Sequence, residues 1–201
     1  MRVLVVGATG TIGTAVVAAL RTAHEVIGVS RSEGSAHVDI RRPESIADMY
    51  EKVGQVDAVV GCAGAAAWKP LAELTDADFD MSLSYKLMGQ VNLMRRGVRY
   101  VRDGGSFTLT SGILAQHPIP NSAATSLVNA ALEAFGRAAA LELPRGIRIN
   151  VVSPDWVSET LAAMGQDPAR GVPAAEAAQV YVASVTGRDT GKVIPAVRSR
   201  G

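Results

Sequence analysis

Short runs rich in β-branched residues alternate with longer, Ala-rich segments of helical spacing along all 201 residues. Such alternation dictates a parallel sheet with helices on both faces, because parallel neighbours are joined by crossovers that then cover the sheet. The strand runs are Arg2 to Val6, Glu25 to Val29, Asp57 to Gly61, Ser106 to Thr110, Arg148 to Val152 and Lys192 to Ile194, with a weaker one at Ala36 to Asp39. Helical spacing covers Ile12 to Arg21, Pro43 to Val53, Asp76 to Arg102, Ala123 to Glu142 and Pro173 to Val185. No repeat or low-complexity linker interrupts the pattern, so it predicts one α/β domain over residues 1–201, a doubly wound parallel sheet of six to seven strands. One crossover is unusual: six residues, Ser30 to Ser35, precede the weak run, where a parallel connection needs about a dozen. Ala36 to Asp39 is therefore expected to be an abbreviated edge strand reached by a loop, the alternative being no strand at all.

Composition narrows the function. Twenty Lys and Arg against 19 Asp and Glu leave a net charge of +1, and aromatics are 4% of the chain. Neither a field for polyanions nor a platform for stacking bases is present, so no nucleic-acid partner is expected. The single cysteine, Cys62, excludes an internal disulfide and a cysteine-cluster metal site, which fits a reducing compartment. The apolar stretch after Met1 is too short for a signal peptide, and no run reaches the roughly 18 apolar residues of a membrane span. A cytoplasmic protein without metal or membrane partner is the expectation. Chemistry that needs a phenol has four candidates: Tyr50, Tyr85, Tyr100 and Tyr181.

Gly7-Ala8-Thr9-Gly10-Thr11-Ile12-Gly13 follows the first strand directly and opens the first helix. Glycine there lets the chain turn sharply, lets backbone N–H groups approach a pyrophosphate and lets helix and sheet pack closely, while the helix N-terminus adds positive potential. The motif predicts a dinucleotide site of the Rossmann type. About 20 residues on, the end of the second strand usually carries an acid for the ribose hydroxyls of a cofactor without a 2′-phosphate. Ser30, Arg31 and Ser32 stand there instead. A guanidinium between hydroxyls suits a phosphate dianion, so the cofactor is expected to be NADP(H). The alternative is a solvated arginine, and the nearby Glu33 weakens the phosphate argument.

With these residues the sequence resembles the short-chain dehydrogenase/reductase family over nearly its full length. Asp39-Ile40 resembles the family's adenine-contacting pair, and Asp57 through Gly64 resembles the strand ending in Asn-Asn-Ala-Gly, here Gly61-Cys62-Ala63-Gly64. Gly104 through Ser111 is similar to the strand leading to the catalytic serine. The run Gly146 through Pro154 is similar to the family's late segment. The resemblance implies hydride transfer between a nicotinamide and a carbonyl or alcohol. It also implies cofactor contacts from Cys62, Ala63, Gly64, Asn129, Pro154 and Val157, and a homodimer or homotetramer paired through the long helices. Thr11 stands where the family's most common branch has glycine, and the crossover and the substrate lid after Pro154 are abbreviated.

The larger departure is catalytic. Counting back from Asn150 and Pro154, the family's Tyr-x-x-x-Lys helix falls on Thr125 and Asn129. An alkyl hydroxyl is far too weak an acid to replace a phenol, and an amide carries no charge. Lys86 aligns with the family's catalytic asparagine, so lysine and asparagine are exchanged; either Lys86 enters the same cavity or it reaches solvent. The family spacing of the serine falls on Gly112, one residue beyond Ser111. His117, in a loop after a central strand, is a further candidate acid, the alternative being a surface histidine. Tyr85 is read as a packing residue. The expected catalytic set is Ser111, His117 and Lys86, acting on a small carbonyl or alcohol compound. The rival readings are a catalytically silent NADPH-binding module and a non-redox cyclase or isomerase on the same fold.

Overall fold

The computed structural model describes residues 1–31 and 37–198. Six parallel strands form one sheet in the order β2-β1-β3-β4-β5-β6: β1 Arg2–Val6, β2 Glu25–Val29, β3 Val56–Gly61, β4 Val101–Thr110, β5 Arg148–Pro154 and β6 Val193–Ala196. The helices are α1 Thr11–Leu20, α2 Pro43–Val53, α3 Asp76–Ser82, α4 Met88–Gly97, α5 Ala123–Ala139, α6 Ser158–Ala163 and α7 Ala174–Thr186. Val3, Leu4, Val5 and Val6 are all fully buried, as a strand covered on both faces requires. Their alternation divides the core. Leu4 and Val6 pack with Ile46, Met49, Leu93 and Leu132 of α2, α4 and α5, whereas Val3 and Val5 pack with Val16, Leu20, Ala178 and Tyr181 of α1 and α7. In α2, Ile46, Met49, Tyr50 and Val53 make the buried stripe, the i, i+3, i+4, i+7 pattern of an amphipathic helix.

Several boundaries depart from the sequence pattern. The helix expected from Asp76 to Arg102 is α3, a π-helical turn Leu83–Leu87, α4 and a 3₁₀ turn Val98–Tyr100. Its last residues are already sheet, because Val101 pairs with Val56 before a register shift on β3. Arg102-Asp103-Gly104-Gly105 keeps its turn-like character as a bulge between the pairs Val56 to Val101 and Ala58 to Ser106, with Gly104 at φ 73. The close approach of Gly97 to Tyr50, where a Cβ would lie 2.3 Å from the hydroxyl, fixes the end of α4 against α2. The α5 helix ends at Ala139 instead of Glu142, β5 runs on to Pro154, and α6 was not anticipated. Ala36 lies outside the described residues; His37 makes a single parallel bridge to Ser30, and Val38 and Asp39 are not in a strand. The sheet therefore has six strands, with no abbreviated seventh among the described residues. No helix among these residues is long and apolar enough to cross a membrane.

Candidate functional site

The strand order reverses at β1, with β2 on one side and β3 on the other. Ligands of open parallel sheets sit in the crevice beyond the strand ends at such a point. Gly7 and Ala8 turn the chain there, their amides bonding the Val29 carbonyl at 2.9 and 3.1 Å. Gly7 adopts φ 88, and a Cβ on it would lie 2.7 Å from the Ala63 nitrogen; a Cβ on Gly13 would lie 1.9 Å from the Gly7 carbonyl oxygen. Both positions exclude any side chain. Gly10 is different, since its nearest neighbour would be at 3.5 Å. It caps α1 without a side-chain hydrogen bond, so the first amides of the helix are free to meet an anion.

This turn borders a cavity of about 280 Å³, lined also by Val6, Thr9, Ser30, Arg31, Val38, Asp39, Ile40, Cys62, Ala63, Gly64 and Tyr85. Asp39 accepts from Arg41 Nε at 2.9 and 3.1 Å, a hydrogen bond that holds its carboxyl below the usual range. The Arg41 guanidinium lies 5.7 Å over the Tyr85 ring. Burial pushes the Cys62 thiol up to about 12. Thr11 lies in a neighbouring depression with Thr14 and Glu159. Ile12 packs against the α1 core, Gly13 is buried beneath the turn, and Ser32 falls outside the described residues.

A second cavity of about 300 Å³ meets the first at Gly64, which lines both. Its polar side chains are Lys86, Ser111, Thr125, Asn129, Asp155 and Thr160. Its apolar walls include Ile113, Leu114, Trp156 and Val157, with Pro154 beside them. Tyr85 and Lys86 lie in the π-helical turn, and they diverge: Tyr85 lines the first cavity and Lys86 the second. Lys86 is thus turned inward, its Nζ donating to the Ser111 carbonyl at 3.2 Å. Burial brings its pKa down to about 8.

The end of β4 is held rigidly under this cavity. The buried Gln90 amide accepts from Thr110 N and donates to Thr110 O, both at 2.8 Å. Thr110 Oγ1 bonds the Gly61 carbonyl at 2.6 Å. Ser111 N donates to Val152 O at 2.8 Å, which ties the serine to β5. Ser111 Oγ donates to Glu133 Oε1 at 2.9 Å, and Gln116 Nε2 donates to the other oxygen of that carboxylate. Thr125 Oγ1 donates to the Ala67 carbonyl at 3.1 Å. Asn129 is 3% exposed and its Oδ1 has no partner among the described residues. Trp156 stands edge-on to Trp68, ring centroids 5.7 Å apart.

Lys86, Ser111 and Asn129 are therefore brought together, and His117 is not. The histidine is exposed beyond the 3₁₀ turn Ile113–Ala115 and does not line the cavity. The fold also recruits residues the sequence reading passed over. Tyr85 reached the first cavity through the π-helical turn. Gln90 and Glu133 are buried polar residues, and Glu133 follows Asn129 by four positions on the same helix face, which is the signal that was available. Among the described residues, no group of three or more His, Cys, Asp or Glu is placed to hold a metal.

Uncapped helix amides at the switch point of a parallel sheet, opening beside a cavity with a lysine and a serine, define a dinucleotide-binding α/β protein. The comparisons carry this further. The family model described as enoyl-(acyl carrier protein) reductase matches residues 7–199. Tetrahydroxynaphthalene reductase PfmaG of Pestalotiopsis fici is 30% identical over 67% of this chain and 52% of its own length. L-xylulose reductase of Bos taurus is 30% identical over 82% of this chain and 74% of its own. The chain thus spans about half the length of the fungal relatives it matches. Among solved structures, protein lin1944 of Listeria innocua superposes with a TM-score of 0.93 at 42% identity, covering 97% of this chain and 98% of the other. A small-chain dehydrogenase in complex with NADPH superposes at 0.86 and 27% identity, covering 97% and 95%. The chain belongs to the short-chain dehydrogenase/reductase family.

Proposed function

We propose that this protein is an NADP(H)-dependent reductase of small apolar carbonyl compounds, working without the family's Tyr-x-x-x-Lys pair. The observation that carries the reading is the pair of cavities joined at Gly64, one built for a phosphate-bearing nucleotide and the other holding Lys86, Ser111 and Asn129. The residues present fit such a cofactor. The α1 amides at Thr11, Ile12 and Gly13 would meet the pyrophosphate, with Gly7, Thr9 and Gly10 of the turn beside it; Ser30 and Arg31 would meet a 2′-phosphate; Asp39, Ile40, Cys62 and Ala63 would flank the adenosine. Asn129 Oδ1 is a buried acceptor lacking a donor, and a ribose hydroxyl supplies one. That a relative's structure contains NADPH supports the choice.

Bound NADPH supplies a hydride. The chain's own residues bind the carbonyl and manage its charge. The walls formed by Ile113, Leu114, Trp156 and Val157 exclude water and favour an apolar substrate. A developing alkoxide would be stabilised by the Lys86 ammonium, whose pKa near 8 leaves it mostly protonated at neutral pH. The same oxygen is within the province of Ser111. Thr125 plays no part as an acid, its hydroxyl being tied to Ala67. The reading also places the protein in the cytoplasm, as a homodimer or homotetramer formed through α4 and α5, which sedimentation would check. The test of function is direct: NADPH is titrated by nicotinamide fluorescence, then diacetyl and phenanthrenequinone are added. Binding followed by oxidation is expected. Binding without oxidation would favour the silent module, and absence of binding would overturn the premise.

A further inference from the structure

Glu133 is 4% exposed and makes no ion pair among the described residues. A carboxylate buried without a cation is costly unless its bonds serve a purpose. Its two partners are Ser111 Oγ on Oε1 and Gln116 Nε2 on Oε2. We infer that Glu133 is the proton reservoir behind Ser111, and that its protonation state sets whether the serine offers the cavity a donor or an acceptor. This rests on the reductase reading above.

Gln116 holds Oε2 with an N–H, and Oε1 is the oxygen facing Ser111, so a proton on Oε1 is the one that can pass to the serine. While Glu133 is a carboxylate, the serine proton is committed to it, and Oγ presents only lone pairs to the cavity; an alcohol can donate there. Once Glu133 is protonated, its O–H donates across the same 2.9 Å contact. The serine proton is then released toward the cavity or toward Val152 O, 3.4 Å away, and can bond a carbonyl oxygen. With the hydride supplied by the bound cofactor, the protein's own part in reduction would be the proton. The substrate O–H would form as the Ser111 O–H breaks and the Glu133 proton passes to Oγ across the same contact in the same step, so the carboxylic acid is the acid, the hydroxyl only relays, and Glu133 ends as carboxylate. Alcohol oxidation runs the same transfers backward. The elements packed against α5 carry few other titratable groups: Tyr85 and Lys86 in the π-helical turn, Asp76, Asp78 and Asp80 on α3, and Arg148 at the far end of β5. Of these only Lys86 lines the substrate cavity; it supplies charge, and Glu133 supplies the proton through the serine hydroxyl.

Infrared pH titration of the whole protein, with and without NADP⁺, tests the pairing independently of turnover. A carboxylic C=O band should appear on acidification, vanish in Glu133→Gln, shift in Ser111→Ala and shift in Gln116→Leu. A band absent from the wild type, surviving in Glu133→Gln or indifferent to Ser111→Ala would overturn the inference. In turnover of phenanthrenequinone, wild-type kcat should fall as pH rises through the pH at which the band converts. Glu133→Gln, whose amide N–H still donates to Ser111, should keep KM within about threefold, lose kcat about a hundredfold and lose that pH dependence. A kcat drop with the pH profile intact would mark a merely structural role and would also overturn it. Failure of the wild type to turn over any carbonyl would sink the reductase reading, while the infrared result would still decide the Glu133 to Ser111 pairing.

Discussion

The two cavities share Gly64 and little else. The first is built round the glycine turn that ends β1, whose close-packed backbone is walled by residues after β2 and β3, by Val38 to Ile40 and by Tyr85. The second is made of side chains drawn from the π-helical turn, the end of β4, α5 and the end of β5. A backbone site tolerates drift in side chains and fails when a glycine is filled; a side-chain site keeps its shape under substitution and loses its chemistry. The difference teaches why family membership speaks for cofactor binding more directly than for reaction.

The sharpest way to break this contrast is Gly13→Ala. Its Cβ would sit 1.9 Å from the Gly7 carbonyl, so NADPH binding should weaken at least about a hundredfold, read by fluorescence titration, with circular dichroism reporting any loss of fold. Next in size is Lys86→Met, on the other side of Gly64. Turnover should fall about a hundredfold or more with NADPH affinity changed less than about threefold. Its stability effect has the opposite sign. The folded lysine titrates near 8 and the unfolded one near 10.5, so between these values the unfolded chain binds more protons and stability rises with pH. Below pH 8 the burial penalty is fully present, on the order of 1–3 kcal/mol. Lys86→Met should therefore raise Tm by a few degrees at pH 7 and abolish the rise in stability between pH 8 and 10.5; calorimetry across that window checks both.

Arg31→Ala sharpens the first cavity alone. Loss of a charge-assisted contact should reduce the preference for NADPH over NADH about tenfold, measured as a ratio of dissociation constants. Asn129→Leu removes the unpartnered Oδ1 and should weaken NADPH several-fold while leaving the folded state intact. The smallest effect expected is His117→Ala, which should keep kcat/KM within about twofold, because the ring is exposed and outside the cavity.

Most of the fold was legible. The strand runs were continuous and apolar because both faces of the sheet are covered, and the helix stripes kept their period. What escaped was governed by pairing: Val101 joins the sheet because Val56 of β3 lies beside it, and the turn-like residues 102–105 are carried as a bulge before Ser106 resumes the ladder. Of the candidate site, Gly7, Thr9 and Gly10 of the glycine turn, Arg31 and the segment from Cys62 to Gly64 line one cavity. Lys86 stood between two readings until the π-helical turn set its direction. Glu133 was hidden among alanines, since a helix with one acid on it looks solvated until a serine from a distant strand is seen to meet it.

The sequence by itself determined the glycine turn, because the positive φ of Gly7 and the close approach of Gly13 to Gly7 are local to seven residues. It likewise determined the alternating architecture, which follows from hydrophobic period. The tertiary structure alone decided the chemistry of the second cavity. Lys86, Ser111, Glu133 and Asn129 come from elements far apart in the chain, and hydrogen-bond partners, burial and pKa are properties of what surrounds a group in space.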